Sequence, residues 1–150
     1  MASCDIKRGE KERTWGTCIL LWHPHEPDKL LLCKRSAGER QEPGSWGFVG
    51  GKVDVGETAS EAIKREVLEE VGLKLVSYEF RGEFYLDGYL DFVFDSDQWD
   101  GLIKLDPAEC EDFAWVTLND IYNERVNGEP AKIFSFTRAT LDYLMSLSTP

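Results

Sequence analysis

The chain has 150 residues, 42% of them hydrophobic and 30% charged, which suffices for one buried core and excludes a disordered or fibrous class. A formal net charge of −11 opposes tight binding to a nucleic-acid polymer, because such binding rests on Lys and Arg displacing phosphate counterions. The longest apolar runs fall far short of the ~20 residues that a membrane helix needs, so no membrane partner is expected.

Residues 1–13 read as a polar N-terminal tail without the apolar centre of a secretory signal, which makes the cytoplasm the expected location. A single domain is expected over 14–147. "WGTCILLW" (15–22) reads as a strand from its β-branched and aromatic content, "KLLLCKRS" (29–36) as its partner, and the intervening "HPHEPD" as a turn. His23 and His25 flank a proline with no third ligand nearby and read as loop residues. The cysteines at 4, 18, 33 and 110 include no CxxC pair, and two lie in strand-like runs, so reduced thiols are expected. After a polar loop over 36–45, Trp46, Phe48 and Val49 enter a strand that leads to Gly50 and Gly51.

The segment that follows is acidic and helical. Thr58 with Glu61 fits a capping box and Gly72 fits a left-handed helix end, which predicts a helix over about 59–70. Ile63, Val67 and Val71 form an apolar stripe on it. Glu66, Glu69 and Glu70 are related by three- and four-residue steps, and at about 100° per residue they share one face. Like charges so close repel, and a hard cation such as Mg²⁺, which prefers oxygen ligands, would offset the repulsion. Gly50 and Gly51 let a main-chain carbonyl approach a cation, and Arg65 can orient a carboxylate with its two-pronged guanidinium. Beyond the helix, Asp87-Gly88 marks a hairpin, "DFAWVTLNDI" (112–121) a strand and helical turn, and residues 130–147 an amphipathic helix. The tally predicts an α/β fold with helices covering a sheet.

From Gly51 the chain reads Gly, five residues, Glu57, seven residues, Arg65-Glu66, Val67, Leu68, Glu69-Glu70, Val71, Gly72, Leu73. It resembles the Nudix signature G-x5-E-x7-R-E-U-x-E-E-x-G-U, with U aliphatic, at every fixed position. "LLLCKRS", "WGFVGGKV" and "FAWVTLNDI" resemble further stretches of that family. The resemblance implies a Nudix-type α/β/α sandwich around a mixed β-sheet. It also implies Mg²⁺- or Mn²⁺-dependent hydrolysis of a pyrophosphate bond, by metal-activated water, in a nucleoside diphosphate linked to another group. Nucleoside triphosphates, dinucleoside polyphosphates, nucleotide sugars and ADP-ribose are the candidate substrates. A nucleotide-binding regulatory domain without turnover is the alternative, disfavoured by the intact box acids.

Carried over residue by residue, the resemblance makes Glu66, Glu69 and Glu70 metal ligands, with the Gly50 carbonyl as a further one. Glu57 would assist, and Arg65 would position Glu66. Glu109, six residues before Trp115, stands where several members carry a metal-binding or base Glu, with Glu111 and Asp112 as rivals. Either Glu66 or Glu109 would be the general base. Arg35 is a candidate phosphate contact, with Lys34 beside it. Trp46, Phe48, Phe84, Tyr85 and Tyr89 are candidate stacking residues, Phe48 and Tyr89 being preferred. The expected partner is a small-molecule nucleotide, and a homodimer is kept as one assembly state.

Overall fold

Strand β1 (Thr14–Leu21) runs through a four-stranded sheet in the computed structural model, which describes residues 2–147. Its side chains alternate between two cores, as strand geometry requires. Trp15, Ile19 and Leu21 enter one core, and Leu20 enters the other. β1 pairs antiparallel with β4 (Val49–Lys52) and parallel with β6 (Tyr89–Asp100). β6 in turn pairs antiparallel with β5 (Lys74–Leu86), giving the order β4-β1-β6-β5. Asp87 and Gly88 join β5 to β6 with φ of 49° and 83°, the positive pair that a tight hairpin turn requires.

The expected pairing of 29–36 with 15–22 is overturned. β2 (Leu30–Arg35) lies between β3 (Trp46–Gly47) and β7 (Cys110–Val116) in a second, antiparallel sheet, and only the isolated bridge Trp22–Leu30 ties it to the end of β1. Four consecutive apolar residues explain this. Leu31 and Cys33 fill one core while Leu30 and Leu32 fill the other, so β2 is covered on both faces.

Helix α1 (Ala59–Val71) covers one face of the large sheet through Ile63, Val67 and Val71, all fully buried. The other face carries α2 (Leu118–Tyr122), the small hairpin β8 (Arg125–Val126) and β9 (Glu129–Pro130), and α3 (Ser135–Leu147). Ile121 and Leu141 anchor α2 and α3 in the second core. The result is the expected α/β sandwich around a mixed sheet. No helix among the described residues is long and apolar enough to cross a membrane, and all four cysteines are free thiols.

Residues 2–13, read from the sequence as a polar tail, clasp the approach to α1. A 3-10 turn at Ser3–Asp5 buries Cys4 in the first core, and Lys7 bridges to Thr58. Arg8 N donates to Glu57 O (2.9 Å), Gly56 N donates to Arg8 O (2.8 Å), and Arg8 Nη1 donates to Val53 O (2.8 Å).

Candidate active site

Local chemistry fixes the start and end of α1. Thr58 Oγ1 accepts from Glu61 N, and Glu61 Oε1 accepts from Thr58 N, each at 3.0 Å, so two otherwise unpaired amides are satisfied. Gly72 ends the helix at φ 71°. Arg65 then organises the acids around it. Its Nε and Nη2 donate to Glu57 (2.9 and 3.0 Å), and its Nη1 donates to Glu66 Oε1 (2.8 Å) and Glu69 Oε2 (3.2 Å). Nη2 also donates to Lys52 O (3.0 Å), tying the helix to β4. The fork holds the Glu57 carboxyl below its ordinary range.

The expected trio of Glu66, Glu69 and Glu70 is rearranged. Glu66, Glu70 and Glu109 bring one ligand oxygen each within 4.8 Å of the others, whereas Glu69 is half-exposed and turned to Arg65. Glu57 also lies on Arg65 rather than in the trio. Glu109 arrives on the loop between β6 and β7, which is pinned to the end of α1. Lys104 N donates to Val71 O (2.8 Å) and Asp106 N to Glu70 O (2.9 Å), satisfying two terminal helix carbonyls. Ser36 Oγ donates to Ala108 O (2.6 Å), and Ser36 N donates to Glu109 O (3.2 Å). The rival acids point elsewhere: Glu111 pairs with Lys34 (3.6 Å), and Asp112 Oδ1 accepts from Phe113 N.

Burial is the main force pushing the Glu66 carboxyl up to about 7, with Arg65 opposing it and Glu109 and Glu69 adding repulsion. Glu70 is held well above the usual carboxylate range by burial and by Glu66 and Glu109, against a hydrogen bond from Gly50 N (3.1 Å). Glu109 is raised by burial and by Asp106 and Glu39, and its buried Oε2 has no hydrogen-bond partner among the described residues. A Cβ on Gly51 would stand 2.5 Å from the Glu66 carboxyl, so only glycine lets β4 pass this close. An all-oxygen set of mutually repelling carboxylates with an orphaned buried oxygen fits a hard divalent cation.

The trio opens onto a cleft of about 660 Å³ that Arg35, Phe48, Gly50 and Tyr89 also line. Arg35 donates from Nε to Gln41 O (2.8 Å), pairs with Glu39 (3.4 Å) and lies 4.1 Å above the Phe134 ring. Three of the aromatic candidates are elsewhere. Trp46 is core, Phe84 stacks on Tyr143, and Tyr85 is exposed beneath Arg13.

Sequence reasoning missed the far wall of the cleft. Phe134, Phe136, Thr137 and Thr140 come from α3 and the residues before it, and Asp91 comes from β6. Asp91 is only 8% exposed, and its carboxylate makes no hydrogen bond or ion pair among the described residues. One signal was available: in "YLDFVF" the acid occupies a position whose i+2 neighbour Val93 is fully buried.

The family model described as NUDIX domain matches residues 12–136 of this chain. The nucleoside triphosphatase NudI of Escherichia coli (strain K12 / DH10B) is 32% identical over 112 residues, which is 65% of this chain and 79% of that protein. Among solved structures, the MutT protein from Methanosarcina mazei Go1 gives a TM-score of 0.73 at 26% identity, covering 94% of this chain and 99% of that one. The NUDIX domain of Shewanella oneidensis NrtR, complexed with ADP ribose, shares the fold with a TM-score of 0.70 at 16% identity, over 93% of this chain and 90% of that one. With the match spanning most of the sequence and two of the box acids, Glu66 and Glu70, meeting Glu109 at one cleft, the chain belongs to the Nudix hydrolase family.

Proposed function

We propose that this protein hydrolyses the pyrophosphate bond of a nucleoside diphosphate linked to another group, with nucleoside triphosphates as the substrate class. The observation that carries this reading is the convergence of Glu66, Glu70 and Glu109 in the lining of an aromatic-lined cleft. Its similarity to a nucleoside triphosphatase favours triphosphates among the candidate substrates. Glu66 and Glu70, with Glu109 beside them, would hold a divalent cation such as Mg²⁺ or Mn²⁺, which when bound polarises phosphoryl oxygens and acidifies water.

The chain's own residues do the rest. Arg65 uses its fork to fix Glu66 and Glu57, so the acids do not swing apart under mutual repulsion. Gly50 N holds Glu70 in place (3.1 Å). Glu109 Oε2, buried and unbonded among the described residues, takes the proton of the attacking water. Phe48 and Tyr89 offer aromatic surface to the nucleoside, and Arg35 supplies positive charge at the cleft edge.

The test is phosphate or pyrophosphate release from a panel of nucleoside triphosphates, dinucleoside polyphosphates, ADP-ribose and nucleotide sugars in Mg²⁺, with Glu66→Gln as control. Triphosphate turnover by the wild type and its loss in Glu66→Gln is the expected result. If the wild type binds nucleotides but releases no more product than Glu66→Gln, hydrolysis is refuted in favour of a binding module.

A further inference from the structure

The box accounts for one end of the cleft and leaves a charged group at the other without a role. Asp91 lines the cleft and is 8% exposed, and its carboxylate has no hydrogen-bond or ion-pair partner among the described residues. A mostly buried carboxylate normally accepts several hydrogen bonds, and one without a protein partner that lines a cleft is left to take donors from what enters it. Burial alone pushes its carboxyl up to about 7. Gly16 lets the carboxylate lie against β1, since a Cβ there would come within 2.9 Å of Asp91 Oδ1.

The surroundings suit a flat, partly apolar ring. Tyr89 lies two residues before Asp91, on the same face of β6, and meets Phe136 edge-on at 5.7 Å between ring centroids. Phe136 meets Phe134 at 5.4 Å, and Arg35 lies over Phe134. In register, Asp91 pairs with Gly16, which pairs with Lys52 on β4. Two strand spacings therefore separate Asp91 from the glycine strand beside the carboxylate trio, about 10 Å, which is comparable with the reach of a nucleoside from base edge to first phosphate.

Above about pH 7 Asp91 is ionised, and an ionised carboxylate offers two adjacent acceptors, matched by two adjacent N–H donors. Guanine presents such a pair, its N1–H and its C2 amino group. Adenine and cytosine set a ring-nitrogen acceptor beside their amino group, which would face a carboxylate oxygen lone pair to lone pair. Uracil and thymine present one N–H between two carbonyls. We propose that Asp91 is the base-reading residue of this cleft, its two oxygens taking the N1–H and C2-amino donors of a guanine ring, so that guanosine nucleotides are the preferred ligands. The inference rests on the nucleotide reading above and adds the base to it. A site built for these donors discriminates strongly, because a base lacking them leaves a buried acceptor unpaired.

The test measures equilibrium binding of GMP, IMP and AMP in Mg²⁺ at pH 8, where Asp91 is ionised, by calorimetry. None of the three has a phosphoric anhydride to cleave, so the readout is independent of turnover. Wild type should bind GMP more tightly than AMP by roughly 10-fold or more, as expected for one bidentate contact, with IMP, which lacks the 2-amino donor, between them. Asp91→Asn and Asp91→Leu should both bring the three affinities to within about 3-fold of one another. Equal affinities in the wild type, no measurable binding of any of the three, or a guanine preference that survives both substitutions would each overturn the proposal. Graded binding that Asp91→Asn erases, in a protein that turns over no triphosphate, would support it while refuting hydrolysis.

Discussion

Replacing Asp91 by Asn should stabilise the protein most above neutral pH, by less than half as much at pH 5, and hardly at all below pH 4. The Asp91 carboxyl moves from an ordinary value of 3.8 to about 7 in the folded chain because it is buried without a partner. An acid raised on folding weakens the fold as pH rises. Below 3.8 both states carry the proton; between 3.8 and about 7 the unfolded chain gives it up and the folded one does not; above 7 the full deficit is in place. At 1.36 kcal/mol per unit this deficit is about 4 kcal/mol. The Asn amide carries no charge, and its unpaired polar atoms cost about as much as those of the protonated Asp91 carboxyl they replace, so that cost largely cancels. The net gain for Asp91→Asn at pH 8 is therefore about 4 kcal/mol, or roughly 8–16 °C in Tm for a chain of this size. Urea unfolding followed by tryptophan fluorescence, at pH 5 and pH 8 with EDTA present, reads the difference directly. Glu66, Glu70 and Glu109 give pH dependence to both proteins, so the gap between the two isolates Asp91. A gap of equal size at both pH values, or a variant less stable at pH 8, would mean that the charge is compensated and the reasoning wrong.

Arg65→Lys keeps the charge but loses the fork onto Glu57 and Glu66, and should cost about 1–3 kcal/mol of stability, checked by denaturant midpoint. Glu109→Gln should lower kcat by about 10²- to 10⁴-fold if it takes the water's proton. Glu111→Gln, which loses only a half-exposed pairing with Lys34, should stay within about 2-fold of wild type in the same assay. Gly51→Ala should drive its methyl into Glu66 and weaken Mn²⁺ binding, read by paramagnetic resonance, by about 10-fold or more, and unchanged affinity would show that β4 can yield. Mg²⁺ at 100 times its dissociation constant should stabilise the wild type by about 2.7 kcal/mol, an effect that Glu70→Gln should largely remove.

Helix α1 was readable residue by residue because its determinants are local. The cap at Thr58 and Glu61, the stop at Gly72 and the stripe of Ile63, Val67 and Val71 all lie within one short stretch. The membership of the carboxylate cluster was less legible. Helical spacing treats Glu69 and Glu70 alike, and only the placement of Arg65 and β4 turns one outward and the other inward. Glu109 depended on a loop held by main-chain bonds to α1, which leave no trace in side-chain pattern. The partner of β2 was misassigned because a polar proline-containing turn suggests a hairpin, whereas burial of both strand faces demanded a different sheet. Asp91, Phe136 and Thr137 come together only through the parallel pairing of β6 with β1 and the packing of α3, contacts between segments far apart in the chain.

The clasp formed by Lys7 and Arg8 separates two notions of a domain boundary. The stretch shared with the family begins at residue 12, yet the bonds from Arg8 to Val53, Gly56 and Glu57 hold the loop that delivers Glu57 to Arg65. A truncation at the limit of similarity would keep every signature residue and remove a support on which their alignment depends. For anyone shortening, tagging or grafting this protein, the working unit begins before the recognisable one.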